Sequence, residues 1–303
     1  MNLRDLKYLI AVAEHRHFGN AAEACFVSQP ALSMQIKKLE ESLGVQLIER
    51  TNKSVFLTDI GKEITEHARD IVYRIDAMRD IAKQAKDPYR GELRIGIIPT
   101  LAPYLLPHII PGLTRLFPHL KIYLHEEQTD HLIMKLKHGK LDAALFGLPL
   151  SDDNFAALPL FEEELLLATP LNHPFSKRKS IHHADLANKT LLLLEDGHCL
   201  RDQALSLCDA VNATADKSFQ ATSLETLRHM VASQAGITLM PKLACKTNDG
   251  ICYLSFRSPK PTRMLGLIWR PSTAKKILLK NVGMQIRKLL SKQKIVRVIN
   301  AAP

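Results

Sequence analysis

The sequence predicts an α/β protein with a mostly helical N-terminal module, and three features of the 303-residue chain carry that prediction. Short helical patterns separated by a tight turn occupy residues 1–58, and one long helical pattern follows over 59–87. From residue 92 onward, strand-like and helix-like segments alternate, which is typical of a parallel α/β sheet with crossover helices. We therefore expect three divisions, the last of which is an α/β domain spanning residues 88–303.

The N-terminal module is predicted to hold three helices and a hairpin. Apolar residues at helical spacing place the first helix over residues 3–15 and the second over about residues 20–25. Ser28 suits the N-cap of the third helix, and Pro30 fits its first turn. Three short helices with a tight turn before the third form a helix-turn-helix pattern, and the β-prone ends of residues 49–58 suit a hairpin wing.

Residues 59–87 are predicted to form one long amphipathic helix. Apolar residues recur along it at three- and four-residue steps, namely Ile60, Ile64, Ala68, Ile71, Ile75, Met78 and Ala82. Such a seam indicates a dimerisation or packing surface. The break at residues 87–91, which contains a proline and a glycine, separates this linker helix from the α/β domain.

The composition excludes several classes of protein. The five cysteines are sparse and show no zinc-ligand spacing, so we expect no disulfide scaffold, no metal site and no cofactor. The N-terminus carries scattered charges and no apolar run approaches membrane-spanning length, so we expect a cytoplasmic protein without a signal peptide. The formal net charge of +10 is concentrated at residues 257–303, which hold 12 basic and no acidic residues. Such a run is usually a solvated face.

The segment FGNAAEACFVSQPALSMQIKKLEESLGVQLIER at residues 18–50 resembles the signature of the LysR-type transcriptional regulators. The remainder of the chain resembles the effector domain of that family, which has two α/β lobes of the periplasmic-binding-protein type. The resemblance implies a winged helix-turn-helix at 1–58, lobe I at 88–164 plus 268–303, and lobe II at 165–267.

Three further segments resemble the peroxide-sensing members of the LysR family: GHCLRDQALSLC at 197–208, IPTLAPYLLPHIIP at 98–111 and ATSLETLR at 221–228. The resemblance implies a homotetrameric activator of antioxidant genes whose partners are double-stranded DNA, hydrogen peroxide and RNA polymerase. It also implies re-reduction by glutaredoxin or thioredoxin after oxidative stress.

The same resemblance assigns roles to individual residues. It implies that Cys199 is the peroxidatic residue, that Cys208 is the resolving one, and that a disulfide between them activates the protein. It also places Thr100, Thr129 and His198 around the peroxide. It gives no role to the remaining cysteines, Cys25, Cys245 and Cys252.

The neighbours of Cys199 favour its reactive thiolate form. His198 is adjacent, Arg201 is two residues on, and Gly197 marks a strand-to-helix junction, where a helix N-terminus would direct positive charge at the sulfur. A thiolate attacks peroxide to give a sulfenic acid, which condenses with a second thiol. Asp202 could orient His198 or Arg201, although the helix dipole explains a first-turn acid equally well. The alternative is that Cys199 is simply a small buried residue.

The spacing of Cys199 and Cys208 sets a geometric condition on the implied disulfide. If this segment is a helix, the two sulfurs lie on opposite faces and roughly 13 Å apart along the axis. A disulfide requires Cα atoms within about 7 Å, so the bond can form only when the helix opens. Oxidation would then select a conformation that the helix cannot adopt. Alternatively, Cys208 is a core residue of an amphipathic helix.

Thr100 and Thr129 follow predicted strands, at the edge where open α/β sheets place their ligands. A hydroxyl group both donates and accepts hydrogen bonds, as hydrogen peroxide requires. Each threonine could instead cap a helix, Thr100 the helix near Tyr104 and Thr129 the helix DHLIMKLKHG. The two roles are compatible.

The predicted recognition helix presents a polar face opposite Leu32, Ile36 and Leu39. Glutamine suits adenine edges, proline a thymine methyl group and lysine a phosphate. The predicted DNA contacts on this helix are Ser28, Gln29, Pro30, Ser33, Met34 and Lys37, and those in the wing are Arg50, Thr51 and Lys53.

Three other functions remain open on the sequence alone. A LysR-type regulator gated by a small organic ligand between its lobes would not depend on Cys199. A thiol peroxidase with an accessory DNA-binding module would turn over peroxide many times, whereas we expect a regulator and not an enzyme. A solute-binding protein is disfavoured by the helix-turn-helix pattern and by the missing signal-peptide pattern.

Overall fold

The computed structural model describes residues 1–50, 55–84, 87–150 and 154–299. The chain divides into two compact units, Met1–Ala85 and Lys86–Pro303. Within the described segments, no helix has both the length and the apolar character needed to cross a membrane.

The N-terminal unit is a helix-turn-helix followed by a hairpin and one long helix. Its elements are α1 (Leu3–His15), α2 (Phe18–Ala24), α3 (Gln29–Leu43), β1 (Ile48–Arg50), β2 (Val55–Leu57) and α4 (Asp59–Gln84). The two strands pair antiparallel, with Ile48 opposite Leu57. The predicted winged helix-turn-helix is therefore confirmed, and Leu9, Leu32 and Ile36 lie at the centre of its core.

The helix ends of this unit follow from their capping residues. The Ser28 hydroxyl accepts a hydrogen bond from the backbone N–H of Ala31, so α3 begins where the sequence predicts. Thr58 similarly accepts from the N–H of Gly61 at the start of α4. Helix α2 begins earlier than predicted, at Phe18, because the His17 ring accepts hydrogen bonds from two backbone N–H groups of the first turn.

The C-terminal unit alternates strands and α-helices over residues 91–148 and 190–241, and has successive strands over residues 143–194 and 238–269. Its elements are β3 (Gly91–Ile97), α5 (Ala102–Leu116), β4 (Leu120–Glu126), α6 (Thr129–Lys137), β5 (Ala143–Leu148), β6 (Ala156–Pro170), β7 (Ser180–Ile181), β8 (Thr190–Leu194), α7 (Cys199–Val211), β9 (Thr214–Ala221), α8 (Leu224–Ala232), β10 (Thr238–Pro241), β11 (Ile251–Phe256), β12 (Thr262–Trp269), α9 (Lys276–Gln293) and β13 (Arg297–Val298). Short 3₁₀ turns cover Pro174–Lys177, His183–Leu186 and Lys242–Ala244.

The main sheet is mixed rather than parallel. Its strand order is β4-β3-β5-β12-β6-β11-β7, with β10 and β13 also paired to β6, while β8 and β9 form a separate parallel pair. Strand β3 runs parallel to β4 and β5, but β12 runs antiparallel to β5 and β6. Since β12 is antiparallel to both, β5 and β6 point in the same direction. The predicted parallel sheet is thus wrong for β12 and for β10, β11 and β13, which pair antiparallel with β6.

Strand β6 links two hydrophobic cores. Leu160 and Phe161 belong to the core that β3, β5, α5 and α9 enclose. Leu167, further along the strand, belongs to a second core that also holds Ala204 and Cys208 of α7. We call these the lobe I core and the lobe II core; the lobe boundary predicted at 164/165 falls inside β6 and remains a prediction.

Candidate functional site

Helix α7 carries both candidate cysteines. Cys199 is its first residue, Cys208 lies nine positions further on, and both thiols are free. An intact α-helix holds two such residues about 13 Å apart along its axis, which exceeds the Cα separation of about 7 Å that a disulfide tolerates. The structure is therefore that of a reduced form in which the pair cannot be joined.

The Cys199 thiol lies at the junction between the lobes. The residue is half-buried and packs against the lobe I core, although α7 belongs to the other lobe. A methyl group placed on Gly147 of β5 would lie only 3.4 Å from the Cys199 sulfur and 3.5 Å from the Gln203 amide nitrogen. Both distances are ordinary van der Waals contacts, so the Cys199 thiol and the Gln203 amide, one turn apart on α7, both pack against β5 at Gly147.

The Cys208 thiol has very different surroundings. Its residue is 2% exposed and packs in the lobe II core with Leu167, Leu193 and Ala204. Burial raises the pKa of the Cys208 thiol, and the nearby charge of Asp209 raises it further. Cys208 is therefore protonated and shielded while α7 is intact, as the core interpretation of this residue expects.

His198 occupies the N-cap position of α7 and is 3% exposed. The Gln128 amide nitrogen lies 3.4 Å from His198 Nε2 and donates a 3.0 Å hydrogen bond to Glu195 Oε1. Burial lowers the pKa of His198, while the charge of Glu195, 3.9 Å away, opposes that shift. At neutral pH the imidazole is accordingly an uncharged hydrogen-bonding group.

Arg201 and Asp202 are less directly connected to the thiol than the sequence suggests. The Arg201 guanidinium donates a 2.6 Å hydrogen bond to the Leu194 carbonyl and pairs with Asp196 at 2.9 Å, which fixes the turn between β8 and α7. Asp202 is exposed in the first turn of the helix. Among the hydrogen bonds and ion pairs of the described residues, none joins the Asp202 carboxylate to His198 or to Arg201, so its predicted orienting role gains no support.

Thr100 is held by a buried ion pair. Its hydroxyl accepts a 3.1 Å hydrogen bond from Arg263 Nη1, and its carbonyl accepts a 3.0 Å bond from Nη2. Arg263 in turn donates to Glu163 at 2.7 Å, and both side chains are fully buried. The N-cap of α5 is Leu101, so the prediction that Thr100 caps that helix is wrong.

Thr129 is the first residue of α6, and Gln128 occupies the N-cap, so the prediction that Thr129 caps this helix is also wrong. The Thr129 hydroxyl oxygen is buried and makes no hydrogen bond within the described part of the chain. The side-chain amide oxygen of Gln203 is likewise buried and has no hydrogen-bond partner among the described residues. A buried polar atom without a partner costs about 1–3 kcal/mol, so each of these two atoms favours a small polar ligand as its partner.

Sequence reasoning missed several residues of this site: Gln128, Glu195, Gln203, Glu163 and Arg263. The first two follow strands β4 and β8, and that position at a strand end is a signal that could have included them. Arg263 and Glu163 lie 100 positions apart, and no local pattern connects them.

The recognition helix α3 presents the predicted DNA face. Its predicted contacts Ser28, Gln29, Pro30, Met34 and Lys37 are exposed, and Ser33 is half-buried. Leu32, Ile36 and Leu39 are buried on the opposite side, as predicted. A groove between α3 and β1 is lined by Pro30, Ser33, Met34, Lys37, Glu40, Gln46 and Ile48. The predicted wing contacts Thr51 and Lys53, and the side chain of Arg50, lie outside the described residues.

A helix-turn-helix unit with an exposed recognition helix, joined to a two-lobed α/β unit, defines a DNA-binding regulator with an effector domain. Residues 3–62 match the family model described as bacterial regulatory helix-turn-helix protein, lysR family, and residues 86–282 match that of the LysR substrate binding domain. The chain therefore belongs to the LysR family of bacterial regulators.

Two curated relatives and one solved structure illustrate the similarity. The chain is 49% identical over 276 residues to the DNA-binding transcriptional dual regulator OxyR of Escherichia coli, covering 90% of each chain. It is 38% identical over 298 residues to the probable hydrogen peroxide-inducible genes activator of Mycobacterium avium, covering 97% of this chain and 96% of the relative. The full-length OxyR C199D structure from Pseudomonas aeruginosa superposes with a TM-score of 0.81 at 35% identity, covering 100% of this chain and 99% of the other.

Proposed function

We propose that the chain is a peroxide-responsive transcriptional regulator in which hydrogen peroxide oxidises Cys199 and Cys208 resolves the product. One observation carries the proposal: a half-buried thiol stands at the N-terminus of a helix, the buried and unpartnered amide oxygen of Gln203 belongs to the next turn, and a second, shielded thiol follows nine residues after the first. Relatives named as hydrogen peroxide-inducible genes activators support it.

The chemistry needs only the two thiols and the peroxide. The Cys199 thiolate attacks one peroxide oxygen, the O–O bond breaks, and the departing hydroxide takes up a proton to give water and a sulfenic acid. The Cys208 sulfur then attacks Cys199, the S–O bond breaks, and a second water leaves. Two thiols and one hydrogen peroxide thus become one disulfide and two waters.

The proposal gives the surrounding residues distinct tasks. Thr100 and Thr129 bind the peroxide oxygens through their hydroxyl groups, the first oriented by Arg263 and the second free of other hydrogen bonds among the described residues. Neutral His198 contributes a further hydrogen bond. Arg201 holds the turn that positions Cys199. The only role of Asp202 is to stabilise the N-terminus of α7 through its favourable interaction with the helix dipole.

Conformational switching follows from the helix geometry. Formation of the disulfide requires α7 to open and Cys208 to leave the lobe II core. The covalent bond then holds the segment in a conformation that is incompatible with the helix. The 199–208 segment is thus a two-state element, helical when reduced and non-helical when oxidised.

We propose that the protein is a cytoplasmic homotetramer and that the exposed face of α3 binds double-stranded DNA. The exposed apolar residues Ile60, Ile71 and Met78 of α4 support subunit contacts along that helix. Within α3, Gln29 reads bases, Pro30 and Met34 make apolar contacts, and Lys37 meets phosphate. RNA polymerase is the proposed partner in activation, and a dithiol protein such as glutaredoxin or thioredoxin is the proposed reductant.

The test is peptide mass spectrometry of reduced protein treated with one equivalent of hydrogen peroxide, alkylated and digested. We expect a peptide linked through Cys199 and Cys208 in the wild-type chain, the same link in the matched control Cys252→Ser, and none in Cys199→Ser. The Cys199→Ser variant should still bind DNA. Recovery of both residues as free thiols in the wild-type chain would contradict the redox switch and favour a regulator gated by a small ligand at Thr129 and Gln203.

A further inference from the structure

The turn between α2 and α3 exposes a large aromatic side chain. Phe26 is 95% exposed, which is more than any other large hydrophobic side chain in the described part of the chain. Its φ is +56°, in the left-handed region that disfavours a bulky residue and favours glycine or asparagine. The position therefore combines two unfavourable features, solvent exposure of a phenyl ring and a backbone conformation that suits other residues better.

The backbone around Phe26 is fixed, so the ring is directed outward by the fold. The Phe26 N–H donates a 3.0 Å hydrogen bond to the Glu23 carbonyl, and the Val27 N–H donates a 3.0 Å bond to the Ala22 carbonyl. The neighbours Cys25 and Val27 pack against the core of the N-terminal unit. Among the described residues of this unit, none covers the Phe26 ring, because its two flanking side chains occupy the inward side of the turn.

The location of Phe26 indicates what covers the ring in the functional state. It lies two residues before Ser28, the N-cap of α3, and the exposed predicted contacts Gln29 and Pro30 follow directly. In helix-turn-helix proteins the N-terminal residues of the second helix contact base edges, and the first helix crosses the DNA backbone. The turn joining the two helices thus lies at the edge of the groove, within reach of sugar carbons and thymine methyl groups.

We propose that Phe26 is a further DNA-contacting residue, whose ring packs on the carbon surface of the duplex beside the base contacts of α3. The contact is apolar, so it adds affinity without releasing counterions. Thymine methyl groups and deoxyribose carbons offer the same chemistry, and the two are separated experimentally below. This inference rests on the proposed DNA-binding function.

The experiment uses full-length protein and duplexes that the wild-type chain selects from a random-sequence pool. Binding is measured by fluorescence anisotropy at several salt concentrations for Phe26→Gly, Phe26→Asn and Phe26→Tyr. Glycine and asparagine suit the left-handed backbone, so we expect their melting temperatures to equal or exceed that of the wild type. We expect their Kd to rise about 3- to 10-fold from loss of a partly buried ring, with an unchanged salt slope, and Phe26→Tyr to stay within about twofold.

Two control variants separate this contact from other effects. Gln234→Gly removes another exposed side chain with a left-handed φ, +68°, in the C-terminal unit, and should leave Kd unchanged. Lys37→Ala should reduce the salt slope by about one unit if it meets a phosphate, a change that no Phe26 variant should show. Replacing thymine by uracil in the selected duplex should abolish the difference between wild type and Phe26→Gly if the ring meets a methyl group, and preserve it if the ring meets sugar.

Two results would overturn the contact: wild-type affinity in both Phe26→Gly and Phe26→Asn, or a weakened affinity accompanied by a changed salt slope. A wild-type chain that enriches no sequence from the pool contradicts the proposed DNA-binding function itself. The failure of the Phe26 contact and the failure of the proposed function therefore give different results.

Discussion

The two ends of α7 place the same side chain in opposite environments. At the first turn, Cys199 is half-buried at the lobe junction, beside a buried histidine and the unpartnered carbonyl oxygen of Gln203. In the third turn, Cys208 is 2% exposed within an apolar core that also holds Ala204. One end thus has polar groups suited to chemistry and the other has the packing that stabilises the helix.

This difference separates the two steps of the proposed reaction. Peroxide can react at the polar end without disturbing the lobe II core, because Cys199 contributes little to that core. The second step requires a protonated, buried thiol to leave its packing and lose its proton, and burial raises the pKa of that thiol. The packing of Cys208 in the lobe II core therefore controls the rate of disulfide formation. The polar groups around Cys199 control the sensitivity to peroxide.

The largest expected effect comes from making the same substitution at both ends. Cys208→Ser places a hydroxyl in the apolar core and should lower the free energy of unfolding by about 1–3 kcal/mol. Cys199→Ser changes a half-exposed polar site and should cost less than about 0.5 kcal/mol. Urea unfolding of the reduced proteins measures both values, and equal costs would contradict the contrast between the two ends.

A second substitution tests the polar end alone. Thr129→Val removes the buried hydroxyl that has no partner among the described residues, so stability should stay equal or rise by about 1 kcal/mol. Oxidation of Cys199 by peroxide should slow about tenfold, which corresponds to the loss of one hydrogen bond of about 1.4 kcal/mol. Stopped-flow oxidation rates check the prediction.

The matched control for this substitution is Thr190→Val, which removes an exposed threonine hydroxyl at the start of β8. It should leave the oxidation rate unchanged. A Thr129→Val chain that is clearly less stable, yet oxidised at the wild-type rate, would show that the hydroxyl serves the fold and not the peroxide.

Most of the contrast along α7 could be predicted from the sequence, because it depends on helical period alone. The spacing of Cys199 and Cys208 indicates opposite faces of one helix, and the structure confirms a helix over both. Capping chemistry likewise placed the start of α3 at Ser28. The early start of α2 was missed because histidine, unlike serine or aspartate, is not among the preferred N-cap residues.

The remaining features depend on tertiary packing that no local pattern encodes. The cap assignments for Thr100 and Thr129 failed because α5 begins after Leu101 and α6 begins after Gln128, a shift of a single residue in each case. The Arg263–Glu163 pair joins β12 to β6 across 100 positions. Strand direction was also missed, since apolar periodicity is the same for parallel and antiparallel strands.

A third prediction concerns the middle of the helix, between the two cysteines. Ser206 is exposed on α7, and its hydroxyl bonds only the Asp202 carbonyl one turn earlier among the described contacts. Ser206→Gly should favour opening of the helix and Ser206→Ala should oppose it, each by about 0.5 kcal/mol. Disulfide formation after oxidation should therefore be about fivefold faster in the glycine variant than in the alanine variant.

Quenched-flow alkylation, which follows the loss of free Cys208, measures that rate. The first step should be insensitive to both changes, so the rate at which Cys199 is oxidised serves as an internal control. Identical rates of disulfide formation in the two variants would mean that opening of α7 does not limit the second step.

The smallest effect is a pH dependence confined to the first end of the helix. Because burial lowers the pKa of His198, the unfolded chain binds a proton below about pH 6.5 that the native chain resists. The contribution of His198 to the free energy of unfolding is therefore fully present above about pH 6.5 and decreases as the pH falls below that value. The Cys208 thiol, whose pKa is raised from 9.0, stays protonated throughout this range.

The variant His198→Gln should lack this pH dependence. On going from pH 8 to pH 5.5, the wild type should therefore lose more stability than the variant. His173, whose pKa burial also lowers, is present in both proteins and cancels in the comparison. Urea unfolding at the two pH values measures the difference. If the stability difference between wild type and variant is the same at both pH values, the imidazole titrates normally in the folded protein. The prediction that His198 is buried and neutral would then be wrong.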